Sequence, residues 1–221
     1  MDTSGAAADS ATRTRAVLEL NGLDCVRGGR TLFTGLTRGI RAGELLRVQG
    51  ANGAGKTSLL RMLCGLLAPA RGQVLWRGQA IGTLHEEFSR ELVYLGHAAA
   101  LKEELSPLEN LQAACVLAGR AASRADARRA LADAGLRGHE NTQARRLSQG
   151  QRRRAALARL ALAPAAALWV LDEPFNALDT TATAWLEGLV RAQLLRGGVV
   201  VLTSHQGVAL DDAPQQQVLA L

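Results

Sequence analysis

Residues 50–58 read "GANGAGKTS", which sets Gly50, Gly55, Lys56 and Thr57 at the spacing G-x-x-x-x-G-K-[ST]. Glycines let the backbone curl so that successive N–H groups face one anion. The helix that follows adds the positive end of its dipole, a lysine adds a point charge, and a hydroxyl offers a hard oxygen to a divalent cation. This is chemistry for a nucleotide polyphosphate. Gly50, Ala51, Asn52, Gly53, Ala54, Gly55, Lys56, Thr57 and Ser58 would surround the phosphates, with Lys56 on the β and γ groups and Thr57 on Mg²⁺. With this chain's own residue frequencies, such a match arises by chance in roughly one sequence in five hundred.

A second candidate is "ALWVLDEP", where an apolar run ends in Asp172 and Glu173. A carboxylate at a strand end beside a phosphate loop can hold Mg²⁺, and its neighbour can polarise an attacking water. Alone, the pair also reads as capping at a strand end; beside the phosphate loop it predicts a nucleoside triphosphatase. A third is "RRLSQGQRRRAALARLAL" at 145–162, in which Ser148, Gln149, Gly150 and Gln151 precede an amphipathic helix whose first N–H groups can receive another anion.

These residues need a scaffold that alternates strands and helices. "VLEL" (17–20), "ELLRVQG" (44–50), "GQVLWRG" (72–78), "ELVYLG" (91–96), "ALWVLDE" (167–173) and "GVVVLTSH" (198–205) read as strands. The last two are almost wholly apolar, as strands buried on both faces are. "SLLRMLCGLL" continues the phosphate loop as a helix. Between the fourth and fifth strands, about 100–165, helical periodicity prevails. It opens with Ser106 as a cap, Pro107 at the first helical position and Glu109 in the first turn. The pattern predicts a mixed α/β domain with a largely parallel sheet and a helical insertion.

Bulk properties narrow the classes. At 221 residues the chain is of single-domain size. Residues 1–16, "MDTSGAAADSATRTRA", lack an apolar block and read as an unstructured tail. No stretch is apolar for long enough to span a membrane. Cys25, Cys64 and Cys115 match neither zinc nor redox spacing, which leaves packing roles. The net charge of +6 comes mostly from arginine, since Lys56 and Lys102 are the only lysines, and it suits phosphate or anionic lipid. Aromatic residues make up only 3%, so an extended nucleic-acid platform is not expected. Lys102, Glu103 and Glu104 read as solvated, and Arg145, Arg146, Arg152, Arg153 and Arg154 read equally as a solvated helix face and as help in binding phosphates or lipid. Trp76, Trp169 and Trp185 read as packing residues.

"GANGAGKT", "LSQGQ", "LWVLDEP", "NALD" (176–179) and "TSH" (203–205), in that order, resemble the nucleotide-binding subunits of ABC transporters from residue 17 to the C-terminus. The resemblance implies a P-loop α/β domain with a helical subdomain and a small antiparallel β subdomain. It further implies a homodimer in which two ATP molecules and Mg²⁺ are held head to tail. Asp172 and Thr57 would hold the ion, and Glu173 would be the general base. His205 would touch the γ-phosphate, and Ser148 to Gln151 would close on the nucleotide of the other copy. Asp179 would join the two sites.

Three positions depart from that family's usual pattern. Gln149 stands for a glycine, Arg27 for the aromatic that stacks on adenine, and His97 for the glutamine that links the Mg²⁺ site to the helical insertion. Imidazole is shorter than a glutamine side chain but can also donate or accept, so His97 is read as a joint that senses the nucleotide site. "YLGHAAALKEELSPLENL" and "TSHQ" point more narrowly to the ATP-binding subunits of cytochrome c maturation, the haem exporter A family. That resemblance implies integral membrane partners, a peripheral place on the cytoplasmic face of the bacterial inner membrane, and energy for release of a haem-loaded periplasmic chaperone. An ABC subunit for another cargo and a soluble ABC ATPase acting on ribosomes or DNA are the alternatives.

Overall fold

The structure, a computed structural model, describes residues 16–204, 210 and 215–221. The tail expected over 1–16, apart from Ala16, and the candidate His205 lie outside the described residues. The elements run β1 (Ala16–Arg27), β2 (Arg30–Arg41), β3 (Leu45–Gln49), α1 (Lys56–Leu63), β4 (Arg71–Trp76), β5 (Gln79–Ala80), α2 (Ile81–Glu91) and β6 (Leu92–Leu95). Then come α3 (Pro107–Leu117), α4 (Arg124–Asp133), α5 (Gln149–Leu157), β7 (Leu168–Leu171), α6 (Thr180–Leu195), β8 (Val199–Thr203) and β9 (Gln216–Ala220). Short 3-10 turns at Ala144–Arg146 and Ala158–Leu162 flank α5.

A five-stranded parallel sheet has the order β6-β7-β8-β3-β9, and a four-stranded antiparallel sheet the order β2-β1-β4-β5. The period-2 alternation of a strand divides the parallel sheet's side chains between two cores. Leu168 and Val170 of β7, Val199 and Val201 of β8, and Leu46 and Val48 of β3 face one way. They meet Leu59, Leu60 and Leu63 of α1 and Leu18, Leu20 and Ile40 of the antiparallel sheet. Trp169, Leu171, Val200, Leu202 and Leu45 face the other way, toward Leu186, Val190 and Leu194 of α6. Both faces are covered, which is why β7 and β8 contain almost nothing but large apolar residues.

The helical segment has a core of its own, with Leu108 and Leu111 of α3, Ala127, Ala130 and Leu131 of α4, and Ala155 of α5. Its entry is held by a capping box: the Ser106 hydroxyl accepts from the Glu109 amide, and a Glu109 carboxylate oxygen accepts from the Ser106 amide at 2.8 Å. The antiparallel sheet, the parallel sheet and the intervening helices form the expected α/β architecture with helical and antiparallel β parts. Strands β2, β5 and β9 and helix α2 exceed what the sequence pattern foretold. Strand β2 lies at a sheet edge with most of its residues exposed or half-buried, so little hydrophobic alternation marks it. In β9 only Leu219 is buried.

Burial raises the pKa of the Cys64 and Cys115 thiols, so both remain protonated packing groups. Among the described residues no helix is long and apolar enough to cross a membrane.

Candidate active site

The carboxyl ends of β3, β6, β7 and β8 open on one rim of the parallel sheet, the place where open α/β sheets collect their ligands. A cleft of ≈ 530 Å³ lies there, lined among others by Arg27, Asn52, Lys56, Thr57, His97 and Asp172, together with Glu173.

The phosphate loop leaves β3 and turns directly into α1. Gly55 is the N-cap residue with φ 107°, so the helix starts from a left-handed position. A Cβ there would lie 3.2 Å from the Phe33 ring and from Leu32, and one on Gly50, at φ 149°, would lie 2.7 Å from the Leu221 carbonyl oxygen. The positive φ disfavours a side chain at both positions, and at Gly50 the backbone oxygen also blocks one sterically. The N-cap Gly55 has no side chain to cap α1, which leaves the first amides of the helix without a cap from their own N-cap residue. Lys56 is only 9% exposed, and its Nζ donates to the Gly50 oxygen at 2.7 Å and the Ala51 oxygen at 3.1 Å. An ammonium has three N–H groups, so one donor remains for an anion in the loop.

Asp172 is 2% exposed and is held at both oxygens. Thr57 Oγ1 donates to Oδ2 at 2.8 Å, and Thr203 Oγ1 donates to Oδ1 at 2.8 Å. The Thr203 oxygen in turn accepts from the Glu173 amide at 2.7 Å. One hydroxyl therefore sets both the carboxylate of Asp172 and the peptide of Glu173. Glu173 is buried with φ 49°, a left-handed conformation that a non-glycine residue adopts only where its surroundings enforce it. Thr203 is fully buried, and nothing in its residue type distinguished it from any other β-branched strand end. It is a site residue that sequence reasoning missed.

His97 is exposed at the end of β6 and lines the cleft as well as the two grooves beside it. Arg27 ends β1 and lines the cleft with Leu32. Ser148, Gly150, Gln151 and Asp179 are not brought to the cleft of their own chain. Gln149 reaches only a neighbouring groove, together with His97 and Ala177. Ser148 caps α5 through a box with Gln151, its hydroxyl accepting from the Gln151 amide at 3.2 Å and its amide donating to Gln151 Oε1 at 2.9 Å. Gly150 packs on the loop after Glu173, and a Cβ would come 2.8 Å from the Ala177 oxygen. Asp179 caps α6 by accepting from the Ala182 amide at 2.8 Å and pairs with Arg154 at 3.7 Å.

Arg153 departs from both readings of the arginine cluster, the solvated face and the phosphate or lipid contact. Arg153 turns inward to 6% exposure and bonds to main-chain oxygens of the loops after β6 and β7. Arg152 donates to the Ala144 and Arg145 oxygens at 2.9 and 2.8 Å, closing the turn before α5.

A buried, hydroxyl-held aspartate, a glutamate beside it and a lysine-bearing loop at a helix start are the kinds of group that binding and hydrolysis of a nucleoside triphosphate require. Residues 33–176 match the ABC transporter family. An ATP-binding subunit of an ABC transporter superposes with a TM-score of 0.80 at 24% identity, covering 92% of this chain and 85% of that one. A dimeric ATP-binding cassette with ADP and Pi superposes at 0.73 and 24%, covering 86% and 88%. Both likenesses speak to the fold. The chain belongs to the ABC transporter family, as an ATPase of the ABC class.

Relatives within that family are more specific. The cytochrome c biogenesis ATP-binding export protein CcmA of Dechloromonas aromatica is 54% identical over 192 residues, 87% of this chain and 94% of that protein. The proteins of the same name from Methylococcus capsulatus and Pseudomonas aeruginosa are 51% and 50% identical, over 87% and 88% of this chain and 93% and 95% of theirs. Within the ABC class, this chain belongs to the CcmA family of cytochrome c biogenesis.

Proposed function

We propose that this chain is the peripheral ATP-hydrolysing subunit of an inner-membrane complex in cytochrome c maturation, working as a homodimer from the cytoplasmic face. In this reading Gly50 to Ser58 cradle the phosphates, Lys56 neutralises them, and Glu173 accepts a proton from the attacking water. Thr57 and Asp172 fit Mg²⁺, because they bring a hydroxyl and a carboxylate oxygen together at the phosphate-loop helix, and hard oxygen donors are what that ion takes. Bound there, Mg²⁺ would neutralise phosphate charge. His97 and His205 would report the state of the γ-phosphate to neighbouring loops, and Asp179 would join the paired sites.

The observation that carries the proposal is the network in which Thr57 and Thr203 each hold one oxygen of Asp172 while Thr203 also fixes the Glu173 amide. The homodimer is supported by Ser148 and Gln149, which are exposed and away from their own cleft, so a second copy can receive them. Integral membrane partners are proposed on the names of the relatives, which are ATP-binding export proteins of cytochrome c biogenesis; release of a haem-loaded periplasmic chaperone on hydrolysis is proposed on the motif resemblance of residues 94–111 and 203–206.

Co-purification from detergent-solubilised membranes tests this reading. The wild-type chain and Glu173→Gln should both recover integral membrane subunits of cytochrome c maturation, with loaded chaperone accumulating only in the mutant. Recovery of unrelated permeases would refute the cargo, and recovery of ribosomes or DNA would refute the membrane role.

A further inference from the structure

The guanidinium of Arg153 directs all five of its N–H groups at main-chain oxygens. Nη1 donates to Gly96 at 2.9 Å and to His97 at 3.2 Å. Nη2 donates to Asp172 at 2.7 Å and to Glu173 at 2.8 Å, and Nε faces the Pro174 oxygen at 3.5 Å. These oxygens belong to two loops, one leaving β6 with His97 and one leaving β7 with both carboxylates. The arginine itself stands on α5, whose first turn carries Ser148 to Gln151.

Five carbonyl dipoles converging in a nearly dry place need a donor of matching shape. A planar fork with five donors meets that need, whereas a lysine offers three donors from one point. Burial lowers the pKa of Arg153 from its ordinary range, and the carboxylates of Asp172 and Glu173 oppose that shift. Glu173 is fixed on both sides, its amide by Thr203 and its carbonyl by Arg153, and it keeps its left-handed backbone between them.

We propose that Arg153 is a positioning residue for hydrolysis, locking the peptide at Glu173 to the His97 loop so that the two loops and α5 move as one. The proposal rests on the reading of Glu173 as the base. Among the described residues the hydrogen bonds of Arg153 go to the loops after β6 and β7 and not to residues 50–58, so its loss should slow turnover and leave nucleotide affinity nearly unchanged.

The test uses the full-length chain as wild type, Arg153→Gln, Arg153→Lys and Glu173→Gln. It reads ATPase kcat and KM, equilibrium ATP affinity, and amide hydrogen exchange. For Arg153→Gln, kcat should fall at least tenfold with affinity within threefold. Exchange should rise at residues 96–97 and 172–173 together while 56–63 stay protected. Arg153→Lys should give an intermediate kcat, and it carries the test if the glutamine variant does not fold. A kcat within twofold of wild type, exchange unchanged in either loop, or a loss of affinity equal to the loss of kcat would overturn the proposal. Normal turnover in Glu173→Gln would instead remove the base assignment, and the exchange data would then decide the loop-locking by itself.

Discussion

The Thr57 hydroxyl donates to Asp172 Oδ2 at 2.8 Å across 115 residues of sequence. This bond joins the start of α1 to the end of β7, so the glycine-rich loop and the pair Asp172 and Glu173 are held in one mutual position. Such preorganisation removes reorganisation from the reaction step.

Thr203→Val keeps the shape of a buried strand end but removes the hydroxyl from both Asp172 and the Glu173 amide. Leaving a buried partner unsatisfied costs about 1–3 kcal/mol, which in a chain of this size lowers the melting temperature by about 2–4 °C per kcal/mol. Turnover should drop as well, and Thr203→Ser should restore both. Melting curves and ATPase rates of the three proteins check this; a valine variant with wild-type values in both would contradict it.

Lys56→Ala removes the cation and frees the Gly50 and Ala51 oxygens it binds. Equilibrium titration with ATP should show affinity reduced by at least tenfold. Unchanged affinity would exclude the phosphate-loop assignment.

Two glycines should respond in opposite ways. Gly150→Ala places a methyl 2.8 Å from the Ala177 oxygen, so the loop after Glu173 must shift and turnover should fall. Gly188→Ala, inside α6 with nothing within 4 Å, should raise stability by roughly 1 kcal/mol on helix propensity. Thermal melts with activity assays separate the two.

Glu109 is held below its usual 4.5 by the Ser106 amide first, then by the Ser106 hydroxyl. A carboxylate whose folded pKa is depressed contributes stability above its unfolded value, and that contribution is lost as pH falls through the folded value. Wild type should therefore lose this capping contribution below about pH 4.5, and Glu109→Gln, which has no carboxylate to protonate, should show a shallower acid-side decline in melting temperature. Parallel slopes would contradict the sign.

Much of this was readable in advance because it is local. Gly50 to Ser58 carry their loop geometry in their own residue types, and Ser106, Pro107 and Glu109 form their cap within one turn. The apolar runs of β7 and β8 announce strands covered on both faces. What could not be read depends on distant partners. Thr203 looks like any strand residue until the fold brings Asp172 against it. Arg153 is indistinguishable from Arg152 and Arg154 until α5 is rotated against the loops after β6 and β7. Strand β2 has too few buried residues to show its period.

The most direct test of the account is ATP binding, turnover and oligomeric state measured side by side on wild type and Glu173→Gln. The account predicts that the variant binds ATP as tightly as wild type, hydrolyses it at least a hundredfold more slowly, and accumulates as an ATP-bound dimer. Near-normal hydrolysis by the variant would contradict it.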